Sequence, residues 1–374
     1  MQPITTSKER IYGLDLVRAI AILLILSSHS TILIFPDSEL KSIKFIQFFG
    51  TVGVDVFFVL SGFLIGTILI KHIDLGYTKS QDLYRFWLRR WLRTLPNYYF
   101  ILIINIVLLL CFKKKLPEGI YSYFYFTQNL IEATPSFFTE SWSLSIEEFA
   151  YILGPILLLF IAIIFKRVTK TSFLVVTICV IIFFLITKIW LHITNLGMTE
   201  NFNWSHSFRK VVITRIDSIY YGFIGAYLSF YHSKFWRKIN KLTLVLGIVM
   251  FVSIHFYLFK SALNPNAYLL FYNVFYLPLL SVNILLFFPF FSTYKSKNNK
   301  VVVNISLWSY SLYLVNYSVV LLTIKQFIFV SDLSGFNKLL ILLSYWFLSF
   351  MLAYLMFNYF EKPILKFRDR NINA

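Results

Sequence analysis

Ionisable side chains that interrupt long apolar runs are where this 374-residue chain could do chemistry, since a charge in such a place must be matched or used. Asp15, Arg18 and His29 share one run, from about Gly13 to Ile34. Arg18 and His29 are 11 residues apart. On a helix that spacing returns to within about 20° of the same face and displaces the two side chains by roughly 16 Å along the axis. A histidine there can serve as a general base, or it can simply hydrogen-bond to a neighbouring helix.

Other runs bring polar groups to a similar depth. Glu147 and Glu148 follow the segment Glu140-Ser141-Trp142-Ser143-Leu144-Ser145, which places Glu147 about 5 Å inside a run beginning at 144. Adjacent glutamates cannot both point inward from a helix, so one should serve a site and the other the packing. Arg215 and Asp217 sit near the start of the run 211–231, and Asn316 lies within 301–328. His29, Glu147, Arg215, Asp217 and Asn316 thus converge on one layer, although a structural ion pair is an equally good reading of Arg215 with Asp217. Asp55, in Gly50-Thr51-Val52-Gly53-Val54-Asp55, needs a polar partner, while the glycines around it read as close helix packing.

A third group is basic. Arg89/Arg93 and Arg90/Arg93 stand at i, i+4 and i, i+3 in Tyr84-Arg85-Phe86-Trp87-Leu88-Arg89-Arg90-Trp91-Leu92-Arg93-Thr94-Leu95-Pro96. Arginines grouped this way suit bidentate capture of phosphates. Binding of anionic lipid headgroups accounts for the spacing equally well.

The elements that must hold these residues follow from composition. Hydrophobic residues make up 58% of the chain and charged residues 14%, against about 25% charged in an average soluble domain. This nearly excludes a soluble globule and predicts an all-α polytopic membrane bundle. Ten apolar runs near 13–34, 47–70, 97–112, 144–165, 172–192, 211–231, 241–260, 268–291, 301–328 and 338–360 are the expected spans. The first run exceeds a signal-peptide core and lacks a cleavage pattern after it, so it is expected to be retained. With a cytoplasmic N-terminus the inner segments carry 22 Lys and Arg and the outer ones 9. That bias puts both termini in the cytoplasm and assigns most of the net +18 to topology rather than to a nucleic-acid partner. Lys113, Lys114 and Lys115 dissent, on the outer side. The long outer segment 113–143 is rich in Tyr and Phe and could line an acceptor groove or form an interfacial belt. Cys111 and Cys179 have no metal-ligand spacing, so no metal is expected, and both read as small core residues.

These same residues carry a resemblance. Arg18 followed ten residues on by His29, Gly53-Val54-Asp55-Val56-Phe57-Phe58-Val59-Leu60-Ser61-Gly62-Phe63, Arg90-Trp91-Leu92-Arg93 with Pro96, and Trp142-Ser143-Leu144-Ser145-Ile146-Glu147-Glu148 resemble ordered motifs of the integral membrane acyltransferase-3 family. Arg215-Ile216-Asp217 with Gly222, Ser309-Tyr310-Ser311-Leu312-Tyr313-Leu314, and Phe360-Glu361-Lys362-Pro363 continue the likeness, which covers about residues 11–368. Asn316 departs from it, because the family commonly has His there, and Asn cannot act as a general base.

The resemblance implies transfer of an acyl group, usually acetyl, from cytoplasmic acetyl-coenzyme A to a hydroxyl of a cell-surface glycan. In that reading His29 is the base, Glu147 orients it, and Arg215, held by Asp217, stabilises the oxyanion or fixes the acceptor. Arg90 and Arg93, with Arg18, bind the donor at the inner face. Trp142, Ser143, Tyr313 and Asn316 bind acceptor, and Asp15 and Asp55 support the site. The expected organisation is one transmembrane domain over 1–368 and a cytoplasmic tail over 369–374, in a bacterial inner membrane. With no appended esterase-like domain, lipopolysaccharide O-antigen or capsule is the expected acceptor. A transporter of glycan intermediates, or a structural partner in glycan assembly, stands as the alternative.

Overall fold

The computed structural model describes residues 10–76, 79–132, 137–194, 203–260, 265, 267–296, 299–330 and 333–372. Among them there is no strand, and the chain is a bundle of helices. In order these are α1 (Tyr12–Ile34), α2 (Lys41–Asp74), α3 (Ser80–Cys111), α4 (Ser141–Phe165), α5 (Lys170–Thr194), α6 (Asp217–Tyr231), α7 (Ser233–Lys238), α8 (Asn240–Lys260), α9 (Leu277–Thr293), α10 (Lys300–Val315), α11 (Leu322–Phe327), α12 (Gly335–Met356) and α13 (Lys362–Asn371). π-Helical turns at Phe271–Tyr276, Asn316–Leu321 and Phe357–Glu361 lead into α9, α11 and α13 respectively, so that helices read as separate run on as continuous rods.

Among the described residues nine helical segments are long and apolar enough to cross a membrane. They correspond to nine of the ten expected spans, with extended ends. The segment expected at 97–112 begins at Ser80, so the arginine-rich stretch is part of the same helix and continues through Pro96. The exception is the run 211–231, which is helical only over the 15 residues of α6. At 1.5 Å per residue α6 is about 22 Å long, short of a hydrocarbon core of about 30 Å. The preceding residues are drawn into other bonds: Val212 N–H donates to the Asn129 carbonyl at 2.9 Å and Ile213 N–H to that of Leu130 at 3.3 Å.

Short as it is, α6 lies at the centre. A Cβ on Gly62 of α2 would stand 1.8 Å from the Ile219 carbonyl oxygen, and one on Gly222 would stand 2.2 Å from that of Val59, so α2 and α6 meet backbone to backbone. In α2 67% of the most apolar stretch is buried, against 22% in α8. The outward faces of α5, α8 and α12 carry exposed Ile, Leu, Val and Phe, the surface a lipid-facing helix presents. Cys111 and Cys179 lie on this exposed side and not in the core. At the other end of the chain, Arg89 of α3 contacts the Ile372 carbonyl and reaches Asp369 at 3.6 Å, so α13 rests against α3.

Candidate active site

The half-buried ring of His29 projects from α1 towards the π-helical turn that begins at Asn316. His29 Nδ1 is 2.5 Å from Asn316 Oδ1. Both amide hydrogens of Asn316 are taken up by the carbonyls of Leu312 (2.7 Å) and Tyr313 (2.9 Å), and the Tyr345 hydroxyl donates to Oδ1 at 3.4 Å. The amide oxygen must therefore face the histidine, and Nδ1 must carry the proton. Nε2 meets no hydrogen-bond donor among the described residues. Tyr317 packs on the ring with centroids 4.7 Å apart. The result is an imidazole fixed with a proton on Nδ1 and with Nε2 facing no hydrogen-bond donor among the described residues.

Glu147 is not the residue that orients it. Its carboxylate takes hydrogen bonds from Arg90 Nη2 at 3.2 Å and from the Tyr151 hydroxyl at 2.6 Å. Tyr151 also contacts Ser61 and lies under the Arg90 guanidinium, 4.2 Å from its ring centroid. Arg90 comes from the extended α3, which carries it alongside α4 to the level of Glu147. Glu148 turns the other way, buried, accepting from Trp91 Nε1 and Thr94 Oγ1, both at 3.1 Å. Glu361 is likewise held by Asn97 (2.9 Å) and Ser311 (2.7 Å).

A basic group lies nearer the start of α1. Asp15 receives a two-pronged hydrogen bond from Arg10 (2.9 and 2.7 Å), one from Arg18 (3.3 Å) and one from Ser306 (2.7 Å). Arg18 also donates to Ser306 at 3.1 Å. The charges of Arg90 and Arg93 both act on Arg18. Arg93 is exposed and has no hydrogen-bond or carboxylate partner among the described residues, whereas Arg90 is committed to Glu147 and Tyr151.

Arg215 and Asp217 do not pair with each other. Arg215, wholly buried, contacts Asp55, and its guanidinium lies over Phe58 at 5.3 Å. Asp217 accepts from Lys188 of α5 at 2.5 Å. The separation has a local cause: Asp217 starts α6, while Arg215 precedes it on non-helical backbone, so the two side chains leave in different directions. Asp55 thus has the partner its position required, and Arg215 is buried against it.

Trp142, Ser143 and Tyr313 gather around the beginning of α4. Ser143 Oγ and the Tyr313 hydroxyl are 2.7 Å apart, and Tyr313 donates to the Glu140 carbonyl at 3.1 Å. The Glu140 carboxylate receives Ser318 N–H (3.2 Å) and Oγ–H (2.6 Å), and burial raises its pKa to about 7. Over Trp142 lies the guanidinium of Arg209, 5.1 Å from the ring. Arg209 and Lys210 both act electrostatically on His29. Glu140, Tyr151, Arg209 and Lys210 were missed by sequence reasoning. The Arg209-Lys210 pair was visible as two cations on the expected outer side and was absorbed into the charge bookkeeping. No group of three His, Cys, Asp or Glu side chains among the described residues is placed to hold a metal.

Comparison with known proteins adds an independent line. A family model described as an acyltransferase domain matches residues 11–358. Over 168 residues the chain is 30% identical to the peptidoglycan O-acetyltransferase OatA of Listeria monocytogenes, a match covering 41% of this chain and 25% of the relative. It is 34% identical over 143 residues to the O-acetyltransferase OatA of Staphylococcus aureus, covering 34% and 23%. The matched part thus spans about a quarter of the length of these relatives. No solved structure matches.

Proposed function

Because this chain belongs to the acyltransferase family whose model covers residues 11–358, we propose that it is an O-acetyltransferase that moves an acetyl group from acetyl-coenzyme A to a hydroxyl of a cell-surface glycan. The observation that carries the proposal is the His29–Asn316 contact, which holds the ring by Nδ1 and leaves Nε2 as the nitrogen to act as base.

Acetyl-coenzyme A, when bound, supplies the activated acyl group. The residues near the start of α1 fit its anionic portion, because Arg93 makes no ion pair among the described residues and its charge reaches Arg18. His29 Nε2 takes the proton from the acceptor hydroxyl as the oxygen attacks the thioester carbonyl. The imidazolium then returns that proton to the departing thiol, so the ring ends neutral. Asn316 holds the ring and the tautomer throughout, the part a carboxylate plays in a Ser-His-Asp triad, but without a charge. Glu147 acts one step removed, by fixing Arg90 both directly and through Tyr151. Arg215, sealed against Asp55, is assigned to scaffolding.

The acceptor proposed is a glycan outside a bacterial cytoplasmic membrane, with both termini of the chain on the cytoplasmic side. Lipopolysaccharide O-antigen and capsule remain the expected classes. Peptidoglycan enters as a further candidate, since the Listeria relative is named for it.

The test uses purified protein in liposomes with acetyl-labelled coenzyme A and glycan acceptors of each class. Label should appear as an ester on the glycan, and His29→Ala should lower turnover by about 10² to 10⁴-fold while the protein still inserts. Retention of near-normal transfer by that variant would sink the assignment of the base. Passage of glycan across the bilayer without consumption of the donor would instead favour a transporter.

A further inference from the structure

Several cations of this bundle are paired with carboxylates. Arg10 and Arg18 share Asp15, Arg90 meets Glu147, Lys188 meets Asp217, and Arg215 meets Asp55. Taking a charge out of water costs several kcal/mol, and these pairs offset much of that cost. Arg209 and Lys210 are half-buried in the loop before α6 and make no ion pair among the described residues. Asp55 is the acid whose charge reaches Arg209, and it is already bound to Arg215.

The loop is nevertheless built to hold them. Asn129, fully buried, donates to the Lys210 carbonyl at 2.7 Å and to the Trp142 carbonyl at 2.9 Å. Arg209 Nε is braced by Ser205 Oγ at 2.9 Å, and its guanidinium lies over the Trp142 ring. The ends of both side chains are left reachable, since neither is among the sealed, unpartnered polar atoms. Burial, aided by the neighbouring Arg209, brings the Lys210 pKa down to about 7, the expected mark of a cation that lacks a counter-ion. Both residues act on His29, the proposed base.

We propose that Arg209 and Lys210 form a subsite for an anionic group of the acceptor, a carboxylate or phosphate on the glycan, and so select acidic glycans for acylation. The proposal rests on the transferase reading above and names its substrate class. An acidic sugar docked on the two cations presents its hydroxyl beside His29 Nε2, and the missing counter-ion is then the substrate itself. Arg209 gives planar two-pronged recognition and Lys210 a point charge.

The experiment compares an acidic oligosaccharide containing a uronic acid with its carboxyl-reduced form, and repeats the comparison with a phosphorylated oligosaccharide and its dephosphorylated form. Full-length wild type, Lys210→Gln and Arg209→Gln are used in liposomes. Wild type should prefer each acidic member by at least about tenfold in kcat/KM, and both variants should bring the ratio towards one, mainly through KM. Lys210→Arg should restore the preference. Equal rates on both members of each pair in wild type would overturn the subsite. So would variants that lose kcat on both alike while keeping the ratio, which would point to oxyanion stabilisation. Calorimetric binding of the same oligosaccharides separates this proposal from the transferase reading: discrimination in binding that vanishes in Lys210→Gln upholds the subsite even if no acetyl is transferred, and indiscriminate binding refutes it even if acetyl is transferred.

Discussion

At the scale of the residue, the decisive departure is Asn316. A histidine at that position would add a second titrating ring to the site; an asparagine fixes its neighbour without changing charge. Asn316→Ala should therefore lower kcat roughly 100-fold, by releasing the tautomer and position of His29, with little change in donor KM. A steady-state comparison over both substrates checks this, and loss confined to KM would count against it. Lys210 gives a pH signature. Its charge is present below about pH 7 and lost above, so apparent affinity for an acidic acceptor should fall as pH rises through that value. The groups facing it are Arg209, which stays charged, and His206 and His29. A KM–pH profile that is flat across this range in wild type would exclude the effect, and Lys210→Arg should flatten it. For stability the sign is opposite. The folded-state pKa lies below the free value, so Lys210 costs stability below about pH 7, and that cost disappears as pH rises towards the ordinary lysine value of 10.5.

Helices set which of these residues can meet. The glycines of α2 were read as packing residues before any partner for them was known, and the structure names the partner as α6. That contact brings Asp55 and Arg215 together, since α2 and the start of α6 can approach only where neither carries a side chain. Gly62→Leu must push Ile219 away, and overpacking of this kind costs about 1–3 kcal/mol or more. Its melting temperature in detergent should drop and its activity with it, whereas Gly76→Ala, at a surface turn with open space around it, should lower stability only slightly through its positive φ. The short α6 and the run of α3 past Pro96 were not readable from hydropathy. Backbone bonds from Val212 and Ile213 to a distant loop make one helix start late, and a proline at the middle of a long helix is accommodated in the other.

At the scale of the whole molecule, paired and unpaired charges are separated. Paired ions hold the bundle, and three of the cations that make no ion pair among the described residues, Arg93 and Arg209 with Lys210, stand where anions are proposed to dock. Asp55→Asn leaves Arg215 buried without its counter-charge and should destabilise by about 3–5 kcal/mol, while Asp55→Leu with Arg215→Met should recover most of that loss. Thermal unfolding of the three proteins, with acetyl transfer measured in parallel, checks this. Activity in the double variant would confirm that Arg215 is scaffold, and a stable but inactive double variant would return it to the chemistry.

The sequence by itself determined the class of molecule, nine of the ten apolar segments, and the residues worth inspecting. Composition and run length respond to the bilayer alone, and a charge in an apolar run stands out whatever it touches. The tertiary structure decided the partners. Glu147 went to Arg90 and not to His29, Arg215 to Asp55 and not to Asp217, and Arg209 and Lys210 came within electrostatic range of His29. Depth along a helix can be counted from residue numbers, but the direction a side chain faces and the helix that meets it depend on packing among segments far apart in the chain. In this bundle that packing is governed by the close contact of α2 with α6 at Gly62 and Gly222.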